Sequence, residues 1–108
     1  MENLTYIVLL ITAGSIEEAR QISRALLEQK KVACVNIVPQ ISSLFWWQGK
    51  IDSESEVLLL AKTKASKLPE ILDLVREIHS YDVPEVIALP ILDGNREYLE
   101  WIDKEIEN

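Results

Sequence analysis

The hydrophobic period of this chain changes in a set order, and that order constrains the fold more than any single residue does. Tyr6-Ile7-Val8-Leu9-Leu10-Ile11 is a short run rich in β-branched residues, of the kind that forms a strand buried on both faces, and Thr12-Ala13-Gly14 ends it. Ser15 and Glu18 stand at the spacing of a capping box, and Ala19, Ile22 and Leu26 mark one inward helical stripe. That helix runs out at Gln29-Lys30-Lys31, whose lysines suit the negative end of its dipole. Val32 to Val38 reads as a second strand, interrupted by Pro39-Gln40 and continued from Ile41 to Trp47; Gln48-Gly49 turns the chain, and Ile51 to Lys62 returns. A second helix opens near Ser66 with Pro69 in its first turn, and Leu68, Ile71, Leu72, Val75 and Ile78 keep a helical period. Val83 precedes Pro84 and is pushed to an extended conformation, so the chain leaves the helix after His79, and Val86 to Ile91 forms a fourth strand. Asn95 caps a last helix, with Tyr98, Leu99, Ile102 and Ile106 facing inward.

This order, β-α-β-β-α-β plus a terminal helix, is the split βαβ or ferredoxin-like arrangement: an α/β (α+β sandwich) class, here with a long hairpin between the second and third strands. Right-handed crossovers put the first and third strands at the sheet centre and the second and fourth at its edges. Proline placement agrees. Pro39 and Pro90 fall in the second and fourth strands, where an edge tolerates a missing N–H, and the central strands contain none. At 108 residues the chain suits one domain, residues 1–108.

Composition then removes functions. Net charge is −7, from 18 acids against 11 bases, whereas nucleic-acid binders neutralise phosphates with a basic face. The acids gather loosely at Asp52, Glu54 and Glu56 and at Asp103, Glu105 and Glu107, as solvated faces do. An RNA-recognition sheet stacks bases on central-strand aromatics, but the third strand here reads Val57-Leu58-Leu59-Leu60-Ala61. The loop Thr12-Ala13-Gly14-Ser15 carries neither the thiol pair of a soft-metal chaperone nor the arginine of an acyl-phosphate hydrolase. With one His, one Cys and no Gly-rich phosphate loop, catalysis has no obvious parts, and a non-enzyme is expected. Cys34 allows no internal disulfide and reads as a small buried hydrophobe. Met1-Glu2-Asn3 lacks the basic lead of a signal peptide, and the run Leu4 to Ile11 is too short to span a membrane, so the expectation is a cytoplasmic protein without membrane partners.

The hairpin is the informative segment. Each arm is about twice the ordinary strand of roughly 5–6 residues. Alternation puts Phe45 and Trp47 on one side of it and Leu44 and Trp46 on the other, beyond where one small sheet could cover both faces. Tyr98 and Trp101 of the last helix are expected to cover one face. The other, with the bare edge of the second strand, invites another chain.

Ala33-Cys34-Val35-Asn36-Ile37-Val38-Pro39, Trp46-Trp47-Gln48-Gly49-Lys50-Ile51, Glu56-Val57-Leu58-Leu59-Leu60-Ala61-Lys62-Thr63 and His79-Ser80-Tyr81-Asp82-Val83-Pro84-Glu85-Val86, with Tyr98-Leu99-Glu100-Trp101, resemble the CutA family of divalent-cation tolerance proteins over nearly the whole chain. The resemblance implies a homotrimer joined edge to edge through long hairpins, a role in tolerance of copper and other divalent metals, and copper binding as proposed for some members. His79 matches the family's histidine and Glu85 the glutamate after it. A cysteine and a second histidine proposed as ligands in some members fall at Ile11 and Ile78, and Ser80 replaces the usual proline. The expected metal is therefore copper or another divalent cation, weakly held at His79 and Glu85. A histidine ending a helix and bonding its last carbonyls is the equal alternative. Phe45, Trp46, Trp47, Lys62 and Tyr81 are expected at an inter-subunit cleft or interface, the tryptophans as packing, with Lys62 and Thr63 otherwise a solvated strand end. A scaffold or sensor holding a small anion or a protein partner between subunits is the alternative function.

Overall fold

The computed structural model describes residues 5–106, so Met1 to Leu4 and Glu107, on which some sequence expectations rest, lie outside the described residues. The elements are β1 (Tyr6–Ala13), α1 (Ile16–Glu28), β2 (Cys34–Trp47), β3 (Lys50–Lys64), a 3-10 turn (Ala65–Lys67), α2 (Leu68–Ile78), β4 (Val86–Pro90) and α3 (Arg96–Ile106). The sheet order is β2-β3-β1-β4, every pairing antiparallel, with β1 and β3 central as the crossover and proline arguments require.

Alternation divides the sheet into two unequal faces. Ile7, Leu9, Ile11 and Ala13 of β1 and Val57, Leu59 and Ala61 of β3 are buried, and with Ala19, Ile22 and Leu26 of α1 and Ile71 and Val75 of α2 they form the core. The opposite face presents Val8 and Leu10 beside Leu58 and Leu60, all only part-buried, with Ile87 and Leu89 about half exposed. The α3 helix reaches this side at one end only: Tyr6 Oη donates to Asp103 at 2.6 Å, and Lys64 pairs with the same carboxylate at 3.1 Å.

The α1 helix begins as expected, Ser15 Oγ accepting from Glu18 N–H at 3.1 Å. The return half of the capping box is different. Glu18 Oε1 accepts from Gly14 N–H at 3.1 Å, one residue before the cap, because its other oxygen is drawn to Ser80. At the far end Lys30 adopts φ 58, and the Lys30 and Lys31 N–H groups return to Leu27 and Leu26 carbonyls, a Schellman closure. Lys31 does not serve the dipole; its ammonium pairs with Glu70 of α2 at 2.5 Å.

Several inward assignments need correction. Ile78 and Tyr98 are exposed, and Thr63, expected at a solvated strand end, is fully buried with its hydroxyl donating 2.7 Å to Lys31 O. Tyr98 and Trp101 stack on each other, 5.5 Å apart, and do not cover the hairpin. The reason is chain direction. The last residue of β4, Pro90, pairs near Ile7, so α3 starts at the end of the sheet where β2 begins, the end away from the hairpin tip.

Pro39 sits in a β-bulge: pairing runs Val38↔Leu58 and then Ile41↔Glu56, so Pro39 and Gln40 oppose Val57 alone. Beyond it the hairpin leaves the sheet. β1 ends at Ala13 opposite Val57, so Lys50 to Glu56 pair only with β2, and the molecule reaches 44 Å in its longest dimension. Gln48 (φ 50) and Gly49 (φ 80) make the left-handed turn that suits the ribbon's twist. A Cβ at Gly49 would meet nothing within 4 Å, so Gly49→Ala tests backbone conformation alone. We expect a loss of about 1–2 kcal/mol, read as a lower urea midpoint with an unchanged slope.

Candidate functional site

The step where β1 stops and β3 continues is closed by residues 79–81. His79 ends α2, its N–H bonded to Val75 O at 2.9 Å, and its side chain is fully buried. Nε2 lies 2.7 Å from Thr12 O, and Nδ1 lies 3.0 Å from Tyr81 N. A carbonyl can only accept and an amide N–H can only donate, so the ring hydrogen is on Nε2 and the Nδ1 lone pair is already engaged. Glu18 joins from α1. Its carboxylate takes Ser80 N–H at 2.7 Å and the Ser80 hydroxyl at 3.0 Å, with His79 Nδ1 3.4 Å away. Burial alone would raise the Glu18 pKa, but the Ser80 and Gly14 N–H groups and the Ser80 hydroxyl hold it below the usual range.

Tyr81 carries the chain onward to the hairpin. Its ring lies 4.6 Å from that of His79 and passes over Gly14, where a Cβ would come within 3.4 Å of the hydroxyl. The hydroxyl donates to Glu56 Oε2 at 2.8 Å. Burial, then the Glu56 hydrogen bond and the charges of Glu56, Glu18 and Glu54, push the Tyr81 pKa up to about 12.

Between this segment and the hairpin lies a groove of about 930 Å³. One wall carries Phe45 and Trp47 with Asp52, Glu54 and Glu56; the other is Tyr81, Asp82, Val83 and Glu85. Among the described residues no lysine, arginine or histidine lines it. The expected site residues thus separate. Phe45, Trp47, Tyr81 and Glu85 come together here. Trp46 points from the opposite face of the hairpin, His79 is sealed behind Tyr81, and the Lys62 ammonium sits on the Asn36 side chain in the body of the sheet. Glu18 and Glu56, which sequence reasoning took for a cap and a solvated acid, are the anchors of the 79–81 segment. The alternation of Asp52, Glu54 and Glu56 was the signal that these acids share one face.

The residues do not fit a metal at His79, since both ring nitrogens are spent and the nearest carboxylate is saturated with N–H and O–H donors. Among the described residues no group of three or more His, Cys, Asp or Glu is placed to hold an ion.

Fold and site together define a split βαβ protein whose overlong hairpin is clamped at its base by a tyrosine and walls an acidic, aromatic groove. The CutA1 divalent ion tolerance protein family matches residues 7–105, and the chain belongs to that family. It is 50% identical over 95 residues to the divalent-cation tolerance protein CutA of Thermus thermophilus, covering 88% of this chain and 92% of that one. With protein CutA of Homo sapiens the identity is 45% over 98 residues, 91% of this chain but 55% of the human one. The solved structure of the periplasmic divalent cation tolerance protein CutA from Archaeoglobus fulgidus superposes with a TM-score of 0.92 at 45% identity, covering 94% of this chain and 99% of that one.

Two outcomes follow from the clamp. His79→Ala removes the side-chain partner of the Thr12 carbonyl, in a buried place, and of the part-buried Tyr81 N–H, and should cost about 2 kcal/mol or more, with faster hydrogen exchange at Tyr81. The Tyr81 phenol ionises near 10 when unfolded and about 12 when folded. Its stabilising contribution is therefore complete below pH 10 and lost as pH rises through about 12. Tyr81→Phe should remove one late-titrating phenol from the ultraviolet absorbance titration.

Proposed function

We propose that this protein is a non-catalytic homotrimer of the cytoplasm that serves the response to divalent cations, binding copper or a similar ion weakly through exposed carboxylates. The observation that carries the assembly is the hairpin's uncharged face. Leu44, Trp46 and Ile51 are 72%, 74% and 64% exposed, and their neighbours in register are Ser42, Ser53 and Ser55. Interface cores are depleted of charge in this way and enriched in aromatics. Among the described residues the β2 outer edge has no strand beyond it and the Val8, Leu10, Ile87 and Leu89 face lacks a full cover, so several surfaces want a second chain. The resemblance to the family supports three as the number of copies.

A non-catalytic role is supported by the sealing of His79, which leaves no free imidazole to act as a base. The metal role is supported by what the relatives are called, divalent-cation tolerance proteins. Glu85 and the acids of the groove attract such ions without forming a selective cage. A free, half-buried Cys34 suits a reducing compartment, and among the described residues no helix is long and apolar enough to cross a membrane. Five carboxylates facing the groove disfavour a small anion there.

Light scattering on a gel-filtration column should give three times the 12.3 kDa chain mass, and a monomer would sink the assembly. Trp46→Ala should weaken association by about 2 kcal/mol or more, and Trp47→Ala by less. Calorimetry with copper(II) should give micromolar or looser binding, on the order of 10⁻⁶ M at the tightest. Glu85→Ala should weaken it, whereas His79→Gln, which can still donate to Thr12 and accept from Tyr81, should leave it unchanged. Loss of binding in His79→Gln would make the imidazole a ligand after all.

A further inference from the structure

The two faces of the hairpin differ in kind. By alternation Leu44, Trp46 and Ile51 share one with serines, although Ser42 and Leu44 also border the groove, while Phe45 and Trp47 share the other with acids: Asp52 stands opposite Phe45 in register, Glu54 opposite Ser43, and Glu56 opposite Ile41. Only Lys50, opposite Trp47 at the tip, is basic on that side, and it does not line the groove. We propose that the groove between this face and residues 81–85 binds a small organic cation, an ammonium or guanidinium carried on an apolar body.

The chemistry of both walls points there. Phe45 and Trp47 are 37% and 59% exposed and offer ring faces, which attract a cation through their quadrupoles. Asp52 and Glu54 flank those rings, and Asp82 and Glu85 face them from the other wall with Val83 between, 88% exposed. Among the described residues no lysine or arginine pairs with any of the four, or with Glu56, so the negative charge is unbalanced. A neutral apolar guest would desolvate these carboxylates with nothing in return. An anion would be repelled. A bare divalent ion would find no three ligands converging and no use for the rings. A cation on an apolar body satisfies rings and acids together, and about 930 Å³ is within the usual range for a small-molecule site, about 300–1,000 Å³. The Tyr81–Glu56 bond fixes the spacing of the two walls at their base, so the groove is formed before the ligand arrives.

The proposal uses the groove acids that the copper reading also uses, and it requires that no second copy of the chain fills the groove. Its test uses the whole protein in whatever assembly it adopts, with the mass measured alongside, so a failed trimer and a failed groove are told apart. Phenethylammonium, neutral 2-phenylethanol and phenylacetate are titrated in turn while the three tryptophan indole N–H signals are followed by heteronuclear NMR. Phenethylammonium should shift the Trp47 signal saturably and leave Trp46, on the other face, and Trp101 unmoved. Phenylethanol should bind about tenfold or more weakly, and phenylacetate not at all. Glu54→Gln and Asp82→Asn should each weaken phenethylammonium about threefold to tenfold, with the remaining spectrum in place. Equal binding of the alcohol overturns the proposal, as does a Trp46 shift matching that of Trp47. So does an unmoved Trp47, the result expected if a second copy fills the groove.

Discussion

The structure turns on a mismatch of strand length. β1 is eight residues long and β3 is fifteen, and both are central. Where they pair, alternate residues from both strands pack under α1 and α2 and form the core. Where β1 stops, the first seven residues of β3 have only β2 beside them, and the sheet becomes a two-stranded ribbon. Such a ribbon is marginal alone in water. The remaining unusual features answer to this step: the Pro39 bulge that bends the ribbon, the left-handed turn that closes it, and the clamp at its base.

That clamp shows how a polar network can hold one element against another without a large core. Glu18 holds Ser80, Thr12 and the Tyr81 amide hold His79, and Tyr81 reaches Glu56, so three segments distant in sequence (12–18, 56 and 79–81) meet within hydrogen-bonding reach. The hydrogen bonds pair donor with acceptor throughout; only the approach of Glu18 Oε2 to the His79 Nδ1 lone pair, at 3.4 Å, lacks that match. The network's buried heart is the His79 ring on the Thr12 carbonyl, where a polar group left half satisfied is costly. His79 is a strut of that network, with the lone pair a metal would need already in use.

The hairpin then gives two surfaces different tasks. One face is aromatic and uncharged and suits protein packing; the other is aromatic and acidic and suits a charged guest. Strand alternation makes this division possible, since neighbouring tryptophans in sequence point to opposite sides. Trp46 and Trp47 are adjacent in the chain and belong to different surfaces.

Local signals determined the element order, the sheet topology and the overlong hairpin, because period, caps and proline positions act over a few residues and each has one physical reading. Ser15, Asn95, Pro39 and Gly49 all do what their chemistry requires of them locally. Family membership was legible too, carried by motifs spread along the chain. Tertiary structure alone decided which side chains met. Glu18 looked like half of a capping box until Ser80, far away in sequence, competed for its oxygen. Tyr98 and Trp101 looked like a cover for the hairpin until strand direction put α3 at the other end of the sheet. His79 looked equally able to bind metal or backbone, because a sequence shows that an imidazole is present and not where its two lone-pair and hydrogen positions point. That depends on the Thr12 carbonyl and the Tyr81 amide, which only the folded chain brings to either side of the ring.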